Sequence, residues 1–142
     1  MEKEKTIRQI VAGIEKGRLP ETKEILMLQD ICGDSVAHIL AARSDETGWT
    51  TENRDILMLR TMILGDTVAH VLASHSDETS WATKDKEILM LQDKTGKSVA
   101  HILAYFHLTW TTNDPELLSL MNKWGNTVKD ALIAKGNRHR KN

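Results

Sequence analysis

The chain has 142 residues, with 19 lysines and arginines against 20 aspartates and glutamates, a formal net charge of −1. This balance excludes the overall basic excess typical of nucleic-acid-binding domains, and the length fits one domain with a hydrophobic core. Cys32 is the sole cysteine, which excludes an internal disulfide and fits a reducing compartment.

The first predicted element is a capping helix over residues 5–17, "KTIRQIVAGIEKG", ended near Gly17 and Pro20. The apolar stretch at this end of the chain is too short, and its charges too many, for a signal peptide or a membrane span. We therefore expect a soluble, cytoplasmic protein without membrane contact.

From there the chain repeats itself with a period of about 31 residues. The glycines Gly33, Gly65, Gly96 and Gly125 open successive copies at steps of 32, 31 and 29. The tryptophans Trp49, Trp81 and Trp110 and the segments "ILML" (25–28, 56–59 and 88–91) and "LLSL" (117–120) share this period. The end copies are atypical and more polar, as the outer units of a stacked array must be. The pattern predicts an all-α solenoid of stacked helix-turn-helix repeats.

Each copy is expected to contain two helices. A hydroxyl residue after the glycine turn predicts an N-cap, and the apolar spacing that follows predicts a helix. The capping residues are Ser35, Thr67, Ser98 and Thr127. A second, shorter helix is expected to start near Thr51, Thr83 and Asn113, and Pro115 suits its first turn.

The unit "D-x-x-G-x-[ST]-V-A-H-x-L-A" resembles the ankyrin repeat, in which a turn and T-P-L-H-x-A precede a helix pair. Valine stands where ankyrin has proline, and the copies are one to four residues short. The resemblance implies an ankyrin-like domain over 1–136, followed by a basic tail over 137–142. Its parts would be an N-terminal cap (1–28), repeats (29–59, 60–91 and 92–120) and a C-terminal cap (121–136).

Two sets of aromatic residues recur at fixed places. For the histidines at 38, 70 and 101 the resemblance implies a structural role, and a stacked array would hold them too far apart for one metal ion. A histidine-based metal-binding or catalytic protein is the alternative hypothesis. The repeated tryptophans favour packing under the loops over an exposed row that grips a partner.

The segment "SDET" occurs twice, and stacking would place its carboxylates on one edge. These residues are Asp45, Glu46, Asp77 and Glu78. A solvated loop is the favoured interpretation, and an acidic edge that attracts a basic partner is the functional one.

The places where the repeat breaks are the best candidates for partner binding. The second turn gains a residue and becomes apolar, and "YFHL" replaces "SDET" in the third repeat. If these side chains are exposed they would form a contact patch or a dimer surface, and if buried they fill gaps. With one tryptophan off the repeated positions, the candidates are Met62, Ile63, Leu64, Tyr105, Phe106, Leu108 and Trp124.

No enzyme motif occurs in the sequence, so we predict no catalytic residue, metal or cofactor. The favoured function is a protein–protein interaction module, an adaptor or inhibitor, that binds another protein through its turns and loops. A homodimer is a further prediction of the apolar turns. Nucleic-acid binding would depend on the basic tail alone and is disfavoured.

Overall fold

The computed structural model describes residues 2–75, 81–107 and 109–140, and within these ranges it is helical, without strands. The longer helices are α1 (Glu2–Glu15), α3 (Val36–Ala42), α6 (Val68–His75), α8 (Val99–Phe106) and α10 (Val128–Arg140). The one-turn helices are α2 (Lys23–Leu26), α4 (Ser44–Thr47), α5 (Arg54–Leu57), α7 (Lys86–Leu89) and α9 (Pro115–Leu118). No helix in these ranges has the length and apolar character needed to cross a membrane.

The longer helices pack in chain order, α1 on α3, α3 on α6, α6 on α8 and α8 on α10. The first residue of α3, α6, α8 and α10 is a valine with no exposed surface. Small residues follow it in α3, α6 and α8, where Ala37, Ala69 and Ala100 are also fully buried and allow neighbouring helices to approach closely. A single hydrophobic core runs from Ile14 in α1 to Val128 in α10.

The second helix of each copy is short, as the sequence predicts, but it starts later than predicted. Its N-caps are Asn53, Asp85 and Asp114, two or one residues after the expected starts at Thr51, Thr83 and Asn113. In the first copy the hydroxyl of Thr51 instead accepts a hydrogen bond from the N–H of Asn53, at 3.1 Å. That bond builds a turn ahead of the helix, and a side chain two residues on then caps it. Pro115 occupies the first helical turn, as predicted.

Three further elements differ from expectation. Ser44–Thr47, expected in a polar loop, forms the one-turn helix α4, which ends at Gly48 with a φ of 73°. The last helix, α10, continues to Arg140 and so passes residue 136, where the sequence pattern of the C-terminal cap ends. The predicted capping helix is present as α1, two residues earlier at its C-terminal end than expected.

The one-turn helices are joined by ion pairs between successive repeats. The cation at the first helical position pairs with an acid of the next repeat, as in Lys23 with Asp55 at 2.6 Å. Arg54 pairs with Asp85 and Glu87, and Lys86 pairs with Asp114 and Glu116. The charged side chains are between a third and three quarters exposed, so each pair contributes at most a small stabilisation.

Candidate interaction surface

Four turns precede the helices α3, α6, α8 and α10, and we call them together the turn row. They comprise residues 30–34, 61–66, 93–97 and 122–126. Each turn is closed at its base by an isolated antiparallel bridge, Gln29 with Ser35 in the first copy and Arg60 with Thr67 in the second. The residue that closes the turn is therefore also the N-cap of the following helix. One residue thus fixes the turn to the helix.

Backbone hydrogen bonds connect each turn of the row to the next. The N–H of Met62 donates to the carbonyl of Cys32 at 3.0 Å, and the N–H of Lys94 donates to the carbonyl of Leu64 at 2.8 Å. The N–H of Lys123 donates to the carbonyl of Thr95 at 2.7 Å. The four turns therefore form a continuous, laterally hydrogen-bonded edge that holds its side chains at fixed positions.

Inside three of the turns a carboxylate or amide braces the backbone. Asp30 Oδ1 accepts from the N–H groups of Cys32 and Asp34, and Asp93 and Asn122 do the same in the third and fourth turns. The second turn lacks this brace, and the hydroxyl of Thr61 donates instead to the carboxylate of Asp66 at 2.5 Å. The extra residue and the different brace make the second turn the irregular member of the row.

The apolar side chains of this second turn are exposed to solvent. Met62, Ile63 and Leu64 are 64%, 73% and 55% exposed. Their backbone bonds to the turns on both sides, through Met62 N and Leu64 O, while the side chains contribute little to the core. The alternative that they fill internal gaps is therefore wrong.

The other predicted contact residues lie farther along the chain. Tyr105 and Phe106, at the end of α8, are exposed, and their rings meet edge to face with centroids 4.9 Å apart. Trp124, at the tip of the fourth turn, is exposed beneath the Nζ of Lys123, which lies 4.9 Å from the ring centroid. Leu108 lies outside the described residues.

Sequence reasoning missed Ile31, which lies in the first turn and is 79% exposed. Alignment of the turns could have found it, because it occupies the tip position that Lys94 and Lys123 occupy in the third and fourth turns. Together with Met62 and Ile63, it makes the first half of the turn row apolar at its tips.

A groove follows the turn row, lined by turn residues alone at its first end and also by α6, α8 and α10 farther along, and we call it the inner groove. Three cavities of about 280, 140 and 370 Å³ follow one another along it. The first and second share Leu64 and Asp66 in their lining, and the second and third share Lys97 and Ile102. Tyr105 and Phe106 line the third cavity. The structure thus brings the apolar second turn and the aromatic pair of α8 to one continuous surface.

The repeated histidines are engaged in the framework beneath this surface. In the first copy, His38 Nδ1 lies 3.2 Å from the N–H of Ser35, which donates to it, while the Ser35 hydroxyl caps the N–H of His38. His38 Nε2 reaches the carbonyl of Asp66 in the next turn, at 3.2 Å. His70 and His101 make the same bonds, to the carbonyls of Lys97 and Asn126. Across the described residues no group of three or more possible metal ligands comes together.

In the fourth copy an aspartate, Asp130, stands where the earlier copies have the histidine. Asp130 accepts from the N–H of Thr127 at 2.9 Å, and the Thr127 hydroxyl accepts from the N–H of Asp130. These bonds preserve the local cap without a group that reaches onward. The aspartate keeps only the first of the two interactions that each histidine makes, the cap of its own helix and the hydrogen bond to the next turn.

The repeated tryptophans pack under the loops. Trp81 is buried, and its indole N–H donates to the carbonyl of Thr51 in the preceding repeat at 3.1 Å. Trp49 and Trp110 are half-buried and pack against the core. The packing role that the sequence favours for these residues agrees with this arrangement.

The acidic edge is described only in part. Asp45 and Glu46 are exposed on α4, where Glu46 approaches Arg43 at 4.0 Å. Asp77 and Glu78 lie outside the described residues. The juxtaposition of the two "SDET" segments therefore stays a prediction.

No protein-family model matches the chain, and a search of curated proteins found no match. Among solved structures, a complex of a predatory endopeptidase from Bdellovibrio bacteriovorus with an immunity protein contains a similar chain. The identity is 17%, with 92% of this chain and 87% of that chain covered, and the TM-score is 0.36. A likeness at this level supports no conclusion about the function of the present chain.

Proposed function

We propose that the chain is a non-catalytic, ankyrin-like repeat protein that binds another protein through its turn row and inner groove. It would act as an adaptor, or as an inhibitor that covers a site on its partner. The observation that carries this proposal is the exposure of Met62, Ile63 and Leu64 on a turn whose backbone is bonded on both sides.

The physical argument concerns the cost of leaving these side chains in water. A monomer exposes scattered apolar side chains without consequence, but a contiguous group held in place favours contact with a partner. Ile31 and the second turn expose apolar side chains on neighbouring turns that a backbone hydrogen bond joins, and Tyr105 and Phe106 offer aromatic surface along the groove. Because the turns are already ordered by backbone bonds, binding requires little additional loss of conformational entropy.

The test is substitution of exposed apolar residues by aspartate. Ile63→Asp and Phe106→Asp should abolish capture of the partner from the native cell, as followed by mass spectrometry, while the thermal melt by circular dichroism stays close to wild type. Loss of the interface contact should weaken binding by about 2 kcal/mol or more if these residues lie at its centre.

Ile133→Asp is the matched control, because Ile133 is 51% exposed on α10 but does not line the inner groove. It should retain the same partner as wild type. If Ile63→Asp and Phe106→Asp capture the partner as well as Ile133→Asp does, the turn row is not the binding surface. If they unfold, the side chains stabilise the fold and the proposal is wrong.

A further inference from the structure

The residue between the turn glycine and the N-cap occupies an equivalent position in all four turns. These residues are Asp34, Asp66, Lys97 and Asn126. From the second turn onward the carbonyl of this residue accepts the hydrogen bond of the preceding histidine, which fixes the backbone at this point. The side chains line the inner groove in order: Asp34 and Asp66 the first cavity, Asp66 and Lys97 the second, Lys97 and Asn126 the third.

Charge changes sign along the turn row that borders the groove. The first two turns carry Asp30, Asp34 and Asp66 and no cation, whereas the last two carry Lys94, Lys97 and Lys123. The neighbouring Arg60 does not neutralise the acidic half by an ion pair, since its guanidinium donates to the carbonyls of Gly65 and Gln92.

One acid of the third turn, Asp93, is occupied in its own loop. Its Oδ1 accepts from the hydroxyl and N–H of Thr95 and from the N–H of Lys97. Asp130 also lines the third cavity, where it accepts from the N–H of Thr127. Three lysines thus stand against one acid, Asp93, in the second half of the turn row, and Asp93 braces its turn as Asp30 braces the first.

One cation reaches the acidic half, since Lys94 Nζ donates to the carbonyl of Met62 in the second turn, but among the described residues it forms no ion pair with Asp34 or Asp66. Burial and the nearby Asp30 raise the pKa of the Asp34 carboxyl, with a smaller contribution from Asp66, and His38 opposes them. A cation placed beside this carboxylate would favour its ionised form. The observation supports a positively charged group in the occupant at this end of the groove.

Apolar surface separates and flanks the charged positions. Leu64, Val71 and Ile102 line the second cavity, and Tyr105 and Phe106 line the larger third one. The lining changes from turn to turn along one edge, so a segment in extended conformation meets the charged and apolar positions in order. The arrangement therefore favours an extended occupant.

We propose that the inner groove binds an extended segment of the partner protein whose charge changes along its length. Lysine or arginine side chains of the segment lie against the first two turns, apolar side chains lie in the middle and beside Tyr105 and Phe106, and aspartate or glutamate lies against Lys97. This inference rests on the proposed function. It adds the chemistry of the bound segment and the order of its charges along the groove.

The test uses a display library of short random peptides selected on the purified full chain, with affinities of the enriched peptides measured by fluorescence polarisation. Enriched peptides should carry basic residues at one end and acidic residues at the other. Asp34→Lys and Lys97→Glu should each weaken binding roughly three- to tenfold, because each turns an attraction into a repulsion. These substitutions leave in place the backbone N–H bonds of both residues to their turn braces.

The double variant Asp34→Lys with Lys97→Glu supplies the sharpest result. It should prefer a peptide whose two end charges have been exchanged over the original one. Glu52→Lys is the matched control, since Glu52 is exposed and does not line the groove, and it should leave the affinity unchanged.

The outcomes separate this inference from the proposed function. If peptides lose binding with Ile63→Asp but ignore both charge variants, the charge order is wrong and the binding surface stands. If they ignore Ile63→Asp as well, they bind elsewhere and both proposals fall. If no peptide is enriched while Ile63→Asp still abolishes partner capture, the occupant is a folded surface and the extended segment is wrong. Light scattering tests for self-association. If the chain self-associates and both charge variants lose this association, the occupant of the groove is a second copy of the chain and the proposed segment is wrong.

Discussion

Each repeated histidine joins two repeats through its two ring nitrogens. Nδ1 accepts from a backbone N–H of its own turn, so the proton of the neutral ring is on Nε2, which donates to the carbonyl of the next turn. Protonation of Nδ1 would remove its lone pair and break the first bond. The neutral ring is therefore the form that this arrangement requires, as expected for a structural residue with both polar atoms satisfied.

Stability should depend on pH through His70 and His101. Burial lowers the pKa of both side chains below the ordinary 6.5, against the opposing effect of their backbone bonds. As pH falls below 6.5 the unfolded chain takes up protons before the folded chain does, so the free energy of unfolding decreases. The stabilisation that comes from the two neutral histidines is fully present above pH 6.5. It declines as the pH falls towards the pKa values of these side chains in the folded chain. Urea unfolding at a series of pH values measures this decline.

His70→Gln provides the control for that prediction. Glutamine at this position can still accept the N–H of Thr67 in a capping box, but it does not titrate. The decline of stability below pH 6.5 should be shallower in the variant than in the wild type. An equal slope in both proteins would mean that His70 does not bind fewer protons in the folded state.

At the level of elements, the turns behave as one edge. Gly33 and Gly96 have positive φ angles of 82° and 80°, and each faces the backbone of the next turn. A Cβ on Gly96 would lie 2.9 Å from the Cα of Asn122 and 3.0 Å from the N of Lys123. The glycine thus serves two purposes, a left-handed backbone and close contact between turns.

Gly96→Ala should therefore cost more stability than Gly125→Ala. Both positions have positive φ, which costs an alanine roughly 1–2 kcal/mol, but a Cβ at Gly125 meets nothing within 4 Å. The clash at Gly96 adds to its cost, because backbone atoms of the next turn must move. Chemical denaturation of the two variants measures the difference. Equal losses would show that the turns separate easily and that the lateral bonds contribute little.

The local elements follow from the sequence better than their contacts do. A glycine, a hydroxyl residue and an apolar run predict the caps at Ser35 and Ser98, because these interactions lie within four residues. The bonds between Met62 N and Cys32 O, and between Trp81 and Thr51, join residues about thirty apart and depend on how the repeats stack. The sequence likewise could not decide whether the second turn is exposed, because an exposed contact patch and a buried gap filler would both have apolar side chains at these positions.

For the molecule as a whole, the packing is between neighbours. α6 contacts α3 and α8, and α8 contacts α6 and α10, so each repeat is stabilised mainly by the copies beside it. Stability in such an arrangement is close to a sum of terms for single units and their interfaces. Among the longer helices of the described residues, α1 packs on α3 alone and α10 on α8 alone, and this difference from α6 and α8 can be measured.

Val68→Ala and Val128→Ala should have different consequences although both valines are fully buried at the first position of a helix. Each substitution removes two methyl groups from the core, which should lower the free energy of unfolding by about 2 kcal/mol. At Val68 the loss lies between two interfaces, so amide hydrogen exchange should accelerate in α3, α6 and α8 together. At Val128 it lies in the last unit, so exchange should accelerate in α9 and α10 while α3 keeps its wild-type protection. Uniform acceleration in both variants would show instead that the chain unfolds as one unit, with coupling between repeats strong enough to override the missing neighbour at the end.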